Sequence, residues 1–204
     1  NELIFTADYF SRNTKDLLLV PDISGILGGT APGSGAPIIN GGDVKNTGFE
    51  FQIGYSKSYS DELSFNVNYN FTTLENEVLK VDNSLGYISG GGFGIGQSDV
   101  ARMEVGMPIG YFHGLKTDGI FQNQSEVDAH PSQLALGANA QPGDIRFVDM
   151  NNDGVINEDD KTYIGDPIPD VTMGLNISFD YKSFDFQMYL FSSIGNEIVR
   201  NYER

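Results

Sequence analysis

Apolar and polar residues alternate with a period of two along several stretches of the chain. In the stretch 63–72 every second residue is Leu, Val, Phe or Tyr, and Ser, Asn and Thr fill the positions between them. Successive side chains of a strand point to opposite faces of a sheet, so this stretch predicts one strand with an apolar face and a polar face. The pattern recurs, less cleanly in the first case, at 2–12, 49–56, 171–180 and 184–190.

The connections between these predicted strands differ greatly in length. Short segments at 57–62 and 181–183 predict antiparallel hairpins. The connections at 13–48 and 73–170 are long and rich in turn-forming residues. A connection as long as 73–170 is rarely without structure of its own, so we expect it to carry a small hairpin at 110–122 and a short helix at 124–135.

Two architectures accommodate such strands, a soluble β-sandwich and an outer-membrane β-barrel. In a sandwich the apolar face forms the core, whereas in a barrel it contacts lipid and the polar face lines the lumen. Three features favour the barrel: strands near the roughly 9–11 residues that a tilted strand needs to cross the bilayer, aromatic residues near strand ends, and short turns on one side with long loops on the other. The aromatic residues in question are Tyr55, Tyr59, Phe71, Phe179, Tyr181 and Phe184. We therefore predict an all-β fold, an antiparallel transmembrane β-barrel segment with long extracellular loops.

Composition and charge exclude several classes of protein. Asp and Glu number 28 against 12 Lys and Arg, which gives a formal net charge of -16. Such a polyanion repels nucleic acid. The absence of Cys excludes disulfide bonds and thiolate metal sites. The absence of any run of 18 apolar residues excludes a transmembrane helix.

The sequence contains no recognisable set of catalytic residues, and we predict that the chain is not an enzyme. His113 and His130 have no partner at the spacing of metal ligands, and we interpret both as loop side chains. The glycine-rich stretch 86–96 matches neither GxGxxG nor GxxxxGK[ST], and no strand–helix pattern surrounds it. In so acidic a chain, neighbouring carboxylates carry no information about catalysis.

The segment 149–160 reads D-M-N-N-D-G-V-I-N-E-D-D and resembles the 12-residue calcium loop of an EF-hand. Such a loop takes oxygen ligands from positions 1, 3, 5, 7, 9 and 12 and needs glycine at position 6, where Gly154 stands. The predicted ligands of a structural Ca²⁺ ion are Asp149, Asn151, Asp153, the carbonyl of Val155, Asn157 and Asp160. Position 12 is Asp instead of the bidentate Glu, which predicts a weaker site. The alternative is a metal-free cluster of Asn, Asp and Gly turns.

Five segments, in order along the chain, resemble the SusC/RagA-type TonB-dependent transporters. They are ADYFSRNTKDLL (7–18), GGDVKNTGFEFQIGY (41–55), GMPIGYFHGLKTDGIFQ (106–122), PGDIRFVDMNNDGVINEDDKTYIGDPIPDVTMGLN (142–176) and FDFQMYLFSSIGNEI (184–198). The resemblance implies an outer-membrane barrel of about 22 strands with a plug in its lumen. We expect residues 1–204 to be a partial barrel domain with extracellular loops at about 13–48 and 73–170. The plug and the C-terminal barrel strands have no counterpart in the chain.

The resemblance also implies partners and a location. Such transporters lie in the bacterial outer membrane, in contact with its lipid, and import oligosaccharides or peptides with energy passed on through TonB. TonB contacts parts of the transporter that this chain does not match. A SusD-like surface lipoprotein covers the extracellular loops. Two other hypotheses are a secreted calcium-binding β-sandwich or adhesin and, less favoured because the chain lacks Trp and a distinct carboxylate pair, a carbohydrate-active module.

Overall fold

The computed structural model describes residues 2–19, 38–83, 85–90 and 99–200. They form two compact units. The first comprises Asn1–Ile88, Met103–Gly110 and Asp166–Arg204, and the second comprises Ser89–Arg102 and Tyr111–Gly165. Each unit is considered separately below.

The first unit is built around an antiparallel sheet of long strands. Its strands are β1 (Glu2–Leu19), β2 (Ile39–Ser60), β3 (Leu63–Thr73), β4 (Glu75–Val81), β11 (Val171–Tyr181) and β12 (Phe184–Ile194). The strand order is β1-β2-β3-β11-β12. In addition, β4 pairs with the first part of β2, and β3 pairs with the rest of β2. The predicted hairpins β2–β3 and β11–β12 and the predicted first strand are confirmed. The prediction of an all-β fold of antiparallel strands is confirmed as well.

Both predicted hairpin turns are tighter in the structure than in the sequence analysis. Only Asp61 and Glu62 separate β2 from β3, and only Lys182 and Ser183 separate β11 from β12. Lys182 has φ 55°, in the left-handed region that two-residue hairpins require. The backbone N–H of Lys182 donates to the carbonyl of Glu62 at 2.8 Å, so the two turns lie side by side at the same end of the sheet.

The loop bounds predicted at 13–48 were too wide, because β1 continues to Leu19 and β2 begins at Ile39. These extensions pair with each other as far as Leu19 and Ile39, with register shifts around Leu17. β4 adds a third strand alongside the β2 extension, from Gly42 paired with Val81 to Thr47 paired with Glu75. A small core of Val44, Val78 and Met103 packs there. The pairing stabilises strands that show no alternation in the sequence.

The second unit consists of short elements. Its strands are β5 (Tyr87–Ser89), β6 (Ala101–Glu104), β7 (Tyr111–Leu115), β8 (Thr117–Ile120), β9 (Ile145–Phe147) and β10 (Lys161–Gly165), the first two of which cross the unit boundary. The helix α1 (Gln124–Ala129) is followed by 3₁₀ turns at Leu134–Leu136 and Glu158–Asp160. Two small sheets result, in the orders β10-β7-β6-β5 and β8-β9.

Three predictions for this region need correction or adjustment. The hairpin at 110–122 was wrong: β7 and β8 both form, but β7 pairs with β6 and β10, and β8 pairs with β9. The predicted helix is present but ends at Ala129, because His130 precedes Pro131 and takes an extended conformation at φ -91° and ψ 152°. His113 lies on β7 and not in a loop.

Among the described residues, no helix has the length and apolar character needed to span a membrane.

Candidate functional sites

The long sheet has two faces of opposite chemistry. The register places Ile177 beside Val67 and Met188, and Val67 beside Tyr55, so one row across four strands is wholly apolar. We define the apolar face as the residues on this side of the sheet between the row of Val171 and the row of Tyr181. It comprises Leu3, Phe5, Ala7, Tyr9, Phe49, Phe51, Ile53, Tyr55, Lys57, Leu63, Phe65, Val67, Tyr69, Phe71, Thr73, Val171, Met173, Leu175, Ile177, Phe179, Tyr181, Phe184, Phe186, Met188, Leu190, Ser192 and Ile194.

This apolar face is not a hydrophobic core. The fully buried apolar side chains of the described residues lie elsewhere, at Val44, Val78, Met103, Tyr111, Phe112, Phe121 and Ile156. On the apolar face, Phe5 is 63% exposed and Phe184 is 75% exposed. Contiguous exposed apolar area on this scale marks a surface that contacts another apolar phase or partner.

Aromatic side chains gather at both ends of the apolar face. At one end the rings of Tyr9 and Phe49 lie 5.1 Å apart, and at the other end those of Phe179 and Phe186 lie 5.4 Å apart. Between these ends the polar hydroxyl of Tyr69 donates to the Sδ atom of Met173 at 3.1 Å. A partner of this kind offsets the cost of placing a hydroxyl on an apolar surface.

The opposite face is mainly polar, and it also carries Ile4, Tyr189 and Phe191 at its two edge strands. The row next to Ile177 contains Asn176, Asn68 and Gly54, and the following row contains Gly174 and Asn70. A Cβ atom on Gly54 would lie 2.8 Å from Oδ1 of Asn68, and one on Gly174 would collide with Oδ1 of Asn70. The two glycines therefore leave room for asparagine amides that lie down across the neighbouring strands. This arrangement makes a surface of amide donors and acceptors.

In the second unit, the 149–160 segment folds into a compact loop held by its own side chains. Asp149 accepts hydrogen bonds from the N–H groups of Asp153 and Gly154, at 3.3 and 2.8 Å. Asn151 Oδ1 accepts from Asp153 N–H at 2.9 Å, and Asp153 Oδ1 accepts from Val155 N–H at 2.8 Å. Gly154 has φ 86°, which confirms that position 6 needs glycine.

Asp160 closes this loop. Its buried carboxylate accepts hydrogen bonds from the N–H groups of Met150 at 2.9 Å, Asn151 at 3.4 Å and Asn157 at 2.8 Å. The bond from Asn157 is the largest influence on the pKa of Asp160 and lowers it. Burial acts in the opposite direction. The bonds from the N–H groups of Met150 and Asn151, and the contact with the Asp149 side chain, lower the pKa further. Asp160 is therefore an ionised carboxylate that joins the two ends of the loop by accepting backbone hydrogen bonds. The sequence analysis did not predict this role.

The remaining predicted ligands lie in the same loop. Asn157 Oδ1 accepts from Asp159 N–H at 2.6 Å and caps the 3₁₀ turn, and the side chain of Val155 is 40% exposed. Within the described ranges, no three His, Cys, Asp or Glu side chains are placed to hold a metal ion by themselves. A calcium ion in this loop would depend also on the asparagine oxygens and the Val155 carbonyl. A carboxylate has about four lone-pair positions, so the hydrogen bonds of Asp149 and Asp153 leave acceptor capacity for a cation.

A second set of contacts anchors the loop within its unit, and sequence reasoning missed it. The N–H of Ile156 donates to the carbonyl of Ser132 at 2.8 Å, and the N–H of Ser132 donates to the carbonyl of Gly154 at 3.2 Å. The buried side chain of Gln133 donates to the carbonyl of Ile145 at 3.1 Å and accepts from the N–H of Phe147 at 2.9 Å. A glutamine amide that pairs with backbone in this way has no pattern in the sequence that would reveal it.

The two histidines belong to packing contacts in the described structure. Nε2 of His113 lies 3.2 Å from Nη1 of Arg102, and the ring of His113 meets Tyr111 edge-on at 6.2 Å. The ring of His130 meets Phe121 edge-on at 5.1 Å. These contacts place both side chains in the packing of the second unit.

Comparisons with known proteins agree on one family. The chain is 30% identical over 206 residues to the TonB-dependent receptor P3 of Formosa agariphila, a match that covers 99% of the chain and 19% of that protein. It is 28% identical over 163 residues to the TonB-dependent receptor SusC of Bacteroides thetaiotaomicron, covering 80% of the chain and 15% of SusC. No protein-family model matches.

The fold agrees as well. The structure of the RagAB peptide transporter superposes with a TM-score of 0.67 at 18% identity, covering 95% of the chain and 19% of the matched chain. The chain thus spans about a fifth of the length of the first curated relatives and solved structures that it matches. The resemblance found in the sequence is confirmed: the chain is a segment of the SusC/RagA-like type of TonB-dependent receptor.

Proposed function

We propose that the chain is part of the wall of an outer-membrane β-barrel in a transporter that imports oligosaccharides or peptides by TonB-dependent transport. The observation that carries this proposal is the apolar face, which is continuous over five strands and is not used as a core. Similarity to TonB-dependent receptors supports the class of transport. The relatives are named as receptors and the matched structure is titled a transporter, which supports the proposal that the chain acts in transport and not as an enzyme.

The height of the apolar face suits a bilayer. Both β3 and β11 are 11 residues long. At roughly 3.3 Å per residue and a tilt of about 45°, such a strand covers about 25 Å along the membrane normal, which is the height of the apolar band on outer-membrane barrels. Aromatic residues at both ends of the face then lie at the two membrane surfaces.

The polar face suits a water-filled lumen. Its amides from Gln52, Asn68, Asn70 and Asn176 can both donate and accept hydrogen bonds. Hydroxyl groups of a sugar and backbone groups of a peptide are both satisfied by such a surface. The matched structure is titled a peptide transporter, which supports peptides as cargo. Oligosaccharides stay in the proposal through the resemblance seen in the sequence.

The two ends of the sheet give its orientation. The turns Asp61–Glu62 and Lys182–Ser183 lie at one end of the sheet. At the other end β1 and β2 extend further, and β3 and β11 are connected through residues 74–170. Outer-membrane barrels have short periplasmic turns and long extracellular loops. We therefore propose that the second unit is extracellular, where a SusD-like lipoprotein would contact it.

We also propose that the 149–160 loop holds a structural calcium ion. The oxygen ligands would be Asp149, Asn151, Asp153, the Val155 carbonyl, Asn157 and Asp160. Support comes from the inward-turned carboxylates and from the left-handed glycine at position 6. The ion would add charge neutralisation to a loop that already has its own hydrogen bonds, so its role would be to stiffen this loop for contact with cargo or lipoprotein.

The experiment that tests the proposed function uses the full-length protein in a host with an outer membrane. We expect it in the membrane fraction as a barrel whose electrophoretic mobility changes on heating, and we expect a surface lipoprotein to copurify with it. Uptake of labelled oligosaccharides and peptides should stop when TonB is depleted. A protein that remains monodisperse without detergent would instead support the secreted β-sandwich.

A further inference from the structure

We propose that Lys57 and Lys182, each placed over a neighbouring tyrosine ring at the turn end of the sheet, bind the phosphate headgroup of an anionic phospholipid. This inference rests on the proposed barrel and adds to it a specific contact with the lipid leaflet on the turn side. It concerns the two turns and the final row of the apolar face. The cargo and the 149–160 loop are not involved.

Lys57 is the only charged side chain on the apolar face as defined above. Its cross-strand neighbour is Phe65, and the row of Phe65 continues to Phe179 and Phe186. A charge in the middle of a bilayer is costly, but a lysine near the membrane surface buries its methylene stem and extends its ammonium group to the headgroups. Lys57 lies one row before the end of the face, where this arrangement is possible.

The position of the ammonium group is set by an aromatic ring. Nζ of Lys57 lies 4.2 Å from the ring centroid of Tyr59, and Lys57 is half-buried while Tyr59 is 57% exposed. A cation over a tyrosine face is attracted by the ring quadrupole. Tyrosine itself favours the membrane interface, where one end of the ring is dry and the other is wet.

The neighbouring hairpin repeats the arrangement. Nζ of Lys182 lies 5.4 Å from the ring centroid of Tyr181. The two hairpins are joined at this end because the N–H of Lys182 donates to the carbonyl of Glu62. Lys182 differs in having a carboxylate nearby, Oε2 of Glu62 at 3.7 Å, so its charge is partly neutralised. We therefore assign the larger share of the binding to Lys57.

The distribution of charge identifies the occupant as an anionic lipid. The described residues of the apolar face include no Asp or Glu. At this end of the sheet, Asp180 and Asp185 lie on the opposite face, and Asp61 and Glu62 lie in the turn beyond the face. The chain as a whole carries a net charge of -16 and repels anions. Most of this acidic chain would repel a lipid phosphate. A lysine on the lipid-facing side attracts one, which favours an anionic lipid at this position.

The test uses the full-length protein in nanodiscs of phosphatidylcholine, with phosphatidylglycerol added in increasing amounts, and counts bound phosphatidylglycerol by native mass spectrometry. We expect Lys57→Gln to weaken binding about fivefold, the factor that one lysine near an anionic surface contributes. Lys57→Arg should retain binding, and Lys182→Gln should weaken it by about twofold or less because Glu62 already offsets its charge. The matched control is Lys45→Gln on the same strand, whose cross-strand neighbour is Glu77; it should bind as the wild type does.

The outcomes separate this inference from the proposed function. If Lys57→Gln assembles as a heat-modifiable barrel and binds phosphatidylglycerol as tightly as the wild type, the lipid site is wrong and the barrel stands. An equal loss in Lys57→Gln and Lys45→Gln would show a general charge effect and would also overturn the site. If the wild-type protein does not enter membranes at all, both the site and the barrel are wrong.

Discussion

The long sheet and the second unit differ in where they place their large apolar side chains. In the sheet, large apolar side chains such as Phe5 and Phe184 point outward and stay exposed. In the second unit, Tyr111, Phe112, Phe121 and Ile156 are buried, as in an ordinary water-soluble domain. On the proposed function, the sheet is a wall between lipid and water, and its apolar side chains stay exposed to lipid. The second unit buries its apolar side chains in a small core of its own.

The largest expected effect is a loss of stability in the second unit that leaves the sheet unchanged. Ile156→Ala removes a fully buried side chain at position 8 of the 149–160 loop, and a buried Ile→Ala change costs about 2–5 kcal/mol. We expect the second unit to be cut rapidly by protease in intact cells while the heat-modifiable barrel still forms. The matched control, Val155→Ala, changes a neighbour that is 40% exposed and should resist protease as the wild type does. Loss of the barrel in Ile156→Ala would show that the sheet depends on this core.

The second effect is on barrel assembly, which should respond differently to arginine on the two faces of the sheet. Val67→Arg or Ile177→Arg places a charge in the middle of the apolar face, at a cost of about 2–4 kcal/mol near the bilayer midplane. We expect little heat-modifiable barrel in the outer membrane. Asn68→Arg and Asn176→Arg, one residue away on the polar face, should assemble much better. Equal damage on both faces would contradict the assignment of lipid and lumen.

A third effect concerns the side chain that links segments within the second unit. Gln133→Leu leaves the carbonyl of Ile145 and the N–H of Phe147 without the bonds they now make. A buried group left unsatisfied costs about 1–3 kcal/mol, and these two partly buried groups should cost less because water can reach them. We expect faster amide hydrogen exchange at 145–147 with no change in barrel assembly. Gln124→Leu on the exposed helix α1 is the control. Unchanged exchange at Phe147 would show that the glutamine contacts do not stabilise β9.

The smallest expected effect concerns calcium. At a calcium concentration of about five times Kd, a loop that binds only when folded gains about 1 kcal/mol. We expect a chelator to increase cleavage within 142–167, calcium to reverse this, and magnesium to reverse it poorly because it requires tighter octahedral geometry. Asp153→Ala should resemble the chelated wild type and should not respond to calcium. Identical digestion in all these conditions would mean that the hydrogen bonds of the loop hold it alone.

The sequence predicted most where neighbouring residues determine structure. The alternation at 63–72 and 171–180 fixed which side chains share a face, because a shift of one residue would turn every side chain over. The sequence predicted less where pairing between distant segments determines the structure. The strand extensions to Leu19 and Ile39 have no alternation and exist because they pair with each other. The adjacency of β7 and β8 in the sequence predicts one hairpin, yet β8 pairs with Ile145–Phe147.

The 149–160 loop shows the same limit at a candidate site. The spacing of Asp149, Asn151 and Asp153 predicted an inward-facing set of oxygens, and these do turn toward the backbone of the loop. The spacing did not predict that Asp160 accepts three backbone N–H groups, since that depends on how the loop closes. Ligand binding by these residues stays a prediction.

The pairing of β3 with β11 has a consequence for the order of folding. Ser64 and Asp180 are joined by a hydrogen bond although 116 residues separate them in sequence. The length-dependent entropy of closing such a loop is about 4 kcal/mol, against about 1 kcal/mol for a hairpin turn of a few residues. The β1–β2–β3 meander and the β11–β12 hairpin should therefore form early and separately, and the seam between them should close late. Until it closes, each piece has an open strand edge that can pair with another strand.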